Sequence, residues 1–327
     1  MQARALLTLA ALVTTAVGAC VVGDVDVSGH PCPCPADYRC DAATQRCVAG
    51  AGAAANVGGG VVDGAGGAAG ATDQGGTGGA GGAASPCGGV CGTPGCGACP
   101  QVPVIDAGGF GVDALEALRG DYARFLADAV DPATQDPWCD WNVDFAPSDV
   151  DDCAGYDLSQ EGFPMTCVDW CDAAAFCRWA GKHLCGRIGG GTVPTGAEDD
   201  PEESEWYAAC SAGGTKTYPY GHTYDTVACN TLGSGHGADV TGAGWSADCE
   251  GGYPGVFDMV GNAEEWEDAC PPSADPAGDN CPLRGGAYWA DDSTVDHDFA
   301  KCTLNASRAP DRNASSHDWG FRCCSGP

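Results

Sequence analysis

The sequence predicts an irregular α+β domain, rich in disulfides, carried behind an export signal and a linker. Three observations predict it. The 327 residues contain 23 cysteines, and beyond Cys20 these fall into even groups of four, four and fourteen. Two stretches read as a strand followed by a helix. Past residue 210 the chain is full of Gly, Asp and Asn with only short runs between, the pattern of long loops clamped by covalent bonds.

The elements follow in chain order. Residues 1–19 read as a signal: Arg4 gives a positive start and Ala5 to Val17 is apolar. Val17-Gly18-Ala19-Cys20 looks like a bacterial lipobox, with cleavage before Cys20 and a lipid on its thiol. The competing reading is a plain secretory signal whose first cysteine joins a disulfide. Val21 follows, where aspartate would resemble the inner-membrane retention signal, so the expected address is the outer membrane. No later segment reaches the roughly 20 apolar residues of a membrane span. Residues 20–47 form the anchor and a knot around Cys32, Cys34, Cys40 and Cys47, too small for a core of its own. Residues 48–85, Gly/Ala-rich and nearly uncharged, bury too little apolar surface to offset ordering and read as a flexible linker. In the segment 86–102, Cys87, Cys91, Cys96 and Cys99 read as two disulfides, with zinc the weaker alternative because no histidine lies nearby.

The main domain is expected over 103–327. Phe110 to Leu126 reads as strand, turn and helix, with Tyr122, Phe125 and Leu126 on one helical face. Thr166 to Gly181 reads as a second strand and helix, with Ala174, Phe176, Cys177 and Trp179 as its apolar stripe and Gly181 as cap. The formal charge is −31. The first 100 residues hold six of the 45 acids and three of the 14 bases, so the domain carries 39 acids against 11 bases. Such a surface repels nucleic acid and anionic lipid, and no nucleic-acid partner is expected. Cysteine density of this kind survives as disulfides in an oxidising compartment.

Ordered motifs then carry a resemblance. They are Phe163-Pro164-Met165-Thr166-Cys167-Val168-Asp169-Trp170, Ala174 to Lys182, Pro194-Thr195, Glu205 to Cys210, and Tyr218-Pro219-Tyr220-Gly221. Gly255 to Trp266, Arg284-Gly285-Gly286-Ala287-Tyr288-Trp289-Ala290 and Gly320-Phe321-Arg322-Cys323-Cys324 complete the series. Together they resemble the formylglycine-generating enzyme (sulfatase-modifying factor) family over roughly residues 103–327. The resemblance implies a variant of the C-type-lectin-like fold with little regular secondary structure.

It also implies roles for single residues. Cys177 with Cys323, and Cys210 with Cys302, match the family's two disulfides. Proximity alone suggests Cys139/Cys153, Cys229/Cys249 and Cys270/Cys281, leaving Cys167, Cys171, Cys185 and Cys324 with three possible pairings. In active members a copper-binding cysteine follows the Gly-Gly-Ser-aromatic run. Here that position is Ala290, and Ala287 stands where the family has an active-site serine. The second copper cysteine would fall near Val295, yet none occurs between Cys281 and Cys302. A methyl group cannot bind Cu(I), so copper is not expected. Recruitment of Cys323 or Cys324 is the alternative. A family calcium site maps onto the Asp258 side chain, the Gly261 and Ala263 carbonyls and the Glu265 side chain, hard oxygens on a tight turn, with Glu264 replacing a family tryptophan.

The expectation is a non-catalytic binding or structural protein of the cell envelope. It would touch the membrane through lipidated Cys20 and hold a peptide or glycan in the former substrate groove beside Trp289 and Trp319. The alternative is an oxidase that converts a sulfatase cysteine to formylglycine.

Overall fold

The computed structural model describes residues 38–41, 46–49, 87–236, 238–292 and 298–326. Cys20, where lipidation is expected, the linker 48–85 beyond its first two residues, and Val295 lie outside them. The chain divides into two units, Met1–Gly78 and Gly79–Pro327. In the first, strand β1 (Tyr38–Asp41) pairs antiparallel with β2 (Arg46–Ala49), bringing Cys40 opposite Cys47. No described helix is long and apolar enough to cross a membrane.

Among the described residues, the second unit is built on two small sheets and three α-helices. Strands β3 (Val104–Asp106), β4 (Gly111–Asp113), β5 (His183–Leu184) and β9 (Cys323–Ser325) form an antiparallel sheet in the order β3-β4-β9-β5. Strands β6 (Glu264–Trp266), β7 (Leu283–Arg284) and β8 (Trp319–Phe321) form the other, with β6 central, antiparallel to β7 and parallel to β8. Helices are α1 (Arg119–Ala127), α2 (Trp170–Trp179) and α3 (Glu205–Ser211).

The helices form where the sequence provides caps and an apolar face. On α1, Tyr122 and Phe125 are buried; Tyr122 stacks on Phe176 of α2 and Phe125 meets that ring edge-on. A reciprocal capping box between Asp169 and Asp172 opens α2, and Gly181, at φ +74°, ends it in the left-handed conformation. Ser204 caps α3 by accepting from the Tyr207 amide. The strand expected at the start of Thr166–Gly181 is absent. There the Thr166 amide bonds the Tyr156 hydroxyl and the Cys167 amide bonds the Ser316 carbonyl, so no ladder partner remains.

Two cores result. One gathers Tyr122, Phe125, Trp170, Phe176, Trp179, Trp266 and Phe321; the other Phe110, Val112, Trp206, Val256 and Met259. The adjacent cysteines of β9 face opposite ways, as successive strand residues must. Cys323 bonds Cys177 in the first core and Cys324 bonds Cys185 in the second. Cys210–Cys302, Cys229–Cys249 and Cys270–Cys281 form as expected. Cys139/Cys153 does not. The pairs are Cys139–Cys171 and Cys153–Cys167. Asn142 donates to Asp172, and the Ser148 amide bonds the Cys167 carbonyl, so 139–153 runs alongside 167–172 and each cysteine meets one across from it.

Residues 87–100 are docked on this unit. Cys87–Cys96 and Cys91–Cys99 are disulfides, the Cys91 amide bonds the Trp179 carbonyl, and Gly97 bonds Asp128. The cluster of Cys87, Cys96 and Asp128 offers no zinc site, because both sulfurs are spent on each other.

Burial raises the carboxyls of Asp113, Asp169 and Asp268 to about 6, although the Lys182 ion pair opposes it at Asp113. Folded pKa values above the unfolded ones mean that the folded state binds more protons between 3.8 and about 6. That contribution to stability is complete below this window and is lost as pH rises through it. The urea midpoint is therefore expected to fall as pH climbs across the window, measured by tryptophan fluorescence.

Candidate functional site

The site lies where the turn after β7 meets β6 and β8. Gly285 and Gly286 turn the chain with φ of +81° and +66°. A Cβ on Gly286 would stand 2.5 Å from the Ala290 methyl and 2.7 Å from the Phe299 carbonyl, so only glycine fits. Ala290 is sealed, 0% exposed. Its amide bonds the Ala287 carbonyl at 2.7 Å, and its carbonyl accepts from the Leu232 amide at 2.8 Å. Ala287 is equally buried. The position expected to hold a reactive group is occupied by a packed methyl.

Around it the aromatics are largely engaged. The Trp289 indole donates to Asp318 and packs edge-on against Phe299. Trp319 packs edge-on against Trp266. The Arg308 guanidinium lies 4.9 Å from the Trp289 ring and 5.9 Å from the Trp319 ring. Arg308 also grips Glu264, whose carboxyl burial raises to about 7 against the pull of that arginine. Glu264, the odd residue of its motif, is thus answered by Arg308. Sequence reasoning missed Arg308, since 44 residues separate the pair.

A hydrogen-bonded relay borders this group. The Tyr288 hydroxyl meets His317 Nε2 at 2.7 Å, and His317 Nδ1 meets Asp152 at 2.9 Å. Burial pushes Asp152 upward, but hydrogen bonds from His317 and Ser316 outweigh it and hold the carboxyl below its usual value. Burial, then the charges of Asp318, Asp239 and Asp152, raise the Tyr288 phenol. The phenol stays protonated at neutral pH and serves as a hydrogen-bonding group, not a nucleophile.

Asn262 links this relay to a cavity. Its carbonyl accepts from the Tyr288 amide, and its side-chain oxygen accepts from the Thr241 amide at 2.8 Å. Thr241 lines an open cavity of about 670 Å³ together with Glu161, Phe163, His236, Gly242 and Trp245. Trp245 is 72% exposed.

The expected calcium donors are brought into one buried neighbourhood, but not as an open shell. Both Glu265 oxygens accept from Arg322 Nε, at 2.9 and 2.7 Å, and one also accepts from the Trp206 indole at 2.7 Å. Asp258 accepts from the Gly244 amide. The donor set drawn from the sequence does not fit, because Glu265 is saturated by N–H groups and neutralised by a guanidinium. The structure adds Glu116, fully buried, which accepts from the Asn262 amide group and the Ala263 backbone. Burial, then Asp258 and Glu265, raise its carboxyl well above the usual range. Its one sequence signal is a lone acid in Ala114-Leu115-Glu116-Ala117-Leu118.

A family model for the sulfatase-modifying factor enzyme 1-like domain matches residues 98–326. The chain belongs to this family. The bovine formylglycine-generating enzyme is 28% identical over 188 residues, 51% of this chain and 45% of the relative. The bovine inactive C-alpha-formylglycine-generating enzyme 2 is 33% identical over 175 residues, 50% of each. The formylglycine-generating enzyme of Streptomyces coelicolor is 29% identical over 248 residues, 67% of this chain and 70% of the relative. The chain thus spans about half the length of the two bovine relatives. Among solved structures, PvdO from Pseudomonas aeruginosa aligns with a TM-score of 0.43 at 17% identity, covering 67% of this chain and 80% of that one. The match from residue 98 agrees with the docking of Cys99 on the core of this sulfatase-modifying factor domain.

Removing Arg322 would strand Glu265 beside Asp258 and Glu116. Arg322→Ala is expected to cost about 3–5 kcal/mol, the scale of a broken buried ion pair. The double variant Arg322→Met with Glu265→Leu should cost less in urea unfolding. Calcium should leave the wild-type midpoint unchanged. A calcium-dependent rise that Glu265→Gln abolishes would restore Glu265 as a ligand.

Proposed function

We propose that this is a non-catalytic binding domain of an exported protein, lipid-anchored at Cys20 and displayed from the cell envelope, with the outer membrane as its address. One observation carries the reading. All 18 cysteines from Cys87 to Cys324 are closed in nine disulfides, while the copper-cysteine position is the sealed methyl of Ala290. A copper oxidase needs thiolates, and this stretch offers none. The pairing of Cys323 and Cys324 also argues against their recruitment. The family includes a bovine relative named as inactive, which is compatible with loss of the chemistry.

The ligand on this reading is a peptide or glycan on the surface beside Ala290. Tyr288, His317 and Asp152 supply donors and acceptors, the edges of Trp289 and Trp319 supply apolar contact, and the Phe163–Trp245 cavity receives an apolar group. Acidic residues outnumber basic ones on the chain, so a neutral or basic ligand is favoured over an anionic one.

Anaerobic Cu(I) titration with alkylation mapping on the folded full chain tests this. No alkylated cysteine between 87 and 326 and no tight copper are expected. Two alkylated cysteines with stoichiometric Cu(I) would replace the reading with the oxidase, to be followed by oxidation of a sulfatase peptide.

A further inference from the structure

The surface beside Ala290 carries a group whose hydrogen-bonding sense turns on one proton. The inference rests on the reading of that surface as the ligand face. The group is the hydroxyl of Tyr288, a half-buried residue on the turn after β7. Among the described residues its hydrogen-bond partner is His317 Nε2, at 2.7 Å. The other ring nitrogen of His317, Nδ1, lies 2.9 Å from Asp152. The His317 side chain is 37% exposed, so protons from solvent reach the ring.

The neutral state follows by elimination. Burial opposes ionisation of Asp152, yet hydrogen bonds from His317 and Ser316 hold it below its usual value, so near pH 7 it is a carboxylate that can only accept. Nδ1 therefore carries the one proton of the neutral ring, and Nε2 is left with a lone pair. The Tyr288 phenol, raised by burial and then by the charges of Asp318, Asp239 and Asp152, stays protonated and donates to that lone pair. Its O–H is thereby committed. What the hydroxyl offers a ligand is the capacity of its oxygen to accept.

A second proton on His317 reverses this. An imidazolium has two N–H donors and no acceptor, so Nε2 can no longer receive the Tyr288 O–H. The hydroxyl rotates about its C–O bond, accepts from Nε2–H and turns its own O–H outward. A ligand-facing acceptor becomes a ligand-facing donor with no movement of the backbone. Histidine is the side chain that ordinarily makes this change between about pH 5 and 8.

The charged groups facing the relay are Asp152 at the ring, Asp318 and Asp239 about Tyr288, and Arg308 beyond Asp318, which is engaged by Glu264. Protonation here creates no unpaired charge, because Nδ1–H already faces the Asp152 carboxylate.

We propose that Tyr288, His317 and Asp152 form a proton-driven switch that sets whether the ligand face accepts a hydrogen bond at Tyr288 or donates one. The test is NMR on the folded full chain between about pH 5 and 8, with Tyr288→Phe and His317→Gln assigning the signals. At the upper end, long-range proton–nitrogen correlation should show the His317 proton on Nδ1. On acidification the Tyr288 Cζ signal should move to lower frequency, as a phenol does when it stops donating, with the same midpoint as His317. In His317→Gln that movement should be lost. Asp152→Ala, whose carboxylate is half-exposed and should leave the urea midpoint nearly unchanged, is expected to move the neutral-ring proton toward Nε2. A wild-type neutral ring protonated on Nε2, a Tyr288 signal that does not follow His317, or an unchanged tautomer in Asp152→Ala would overturn the proposal. Tight Cu(I) binding would instead remove the reading of the surface as a ligand face and leave these NMR results standing.

Discussion

The buried pair of Arg322 and Glu265 joins almost every part of the domain. Arg322 sits between β8 and β9, the last strands of the two sheets. Its guanidinium binds Glu265 of β6, the Asp113 carbonyl of β4 and the Phe257 carbonyl, while Glu265 also takes the Trp206 indole of α3. Charge buried this deeply survives only where its partners are complete. Both sheets, one helix and the 257–258 turn must therefore be in register together. The same commitment explains why Glu265 is unavailable to a cation.

Disulfides and ion pairs divide the remaining task. Regular secondary structure is scarce, so few backbone ladders connect distant segments. Cys177–Cys323, Cys185–Cys324 and Cys210–Cys302 span 146, 139 and 92 residues and close the largest loops. Buried carboxylates add specificity at an electrostatic cost. Glu264 is paired with Arg308, and Glu265 with Arg322, each carboxylate facing one guanidinium in a fixed place.

Alanine at position 290 leaves no opening in the fold, its methyl being fully buried. The glycine pair before it makes a positive-φ turn, and polar groups surround it. Glu264 and Arg308 fill a place where a family tryptophan is expected, and Tyr288, His317 and Asp152 form a relay suited to recognition.

By itself the sequence determined the class of this protein: the α+β disulfide-rich fold, both helices it named, and the absence of cysteine at position 290. These are readable because periodicity, caps and residue identity are local. It also marked Cys177–Cys323 and Cys210–Cys302 through ordered motifs. Cys139 and Cys153 were assigned by nearness in the chain, which fails when two segments run side by side. Only the tertiary structure decided those pairings, the split of Cys323 and Cys324 between two cores, and the partners of Glu264, Glu265 and His317. Each depends on groups far apart in sequence, and their meeting is set by packing and charge compensation that no local pattern encodes.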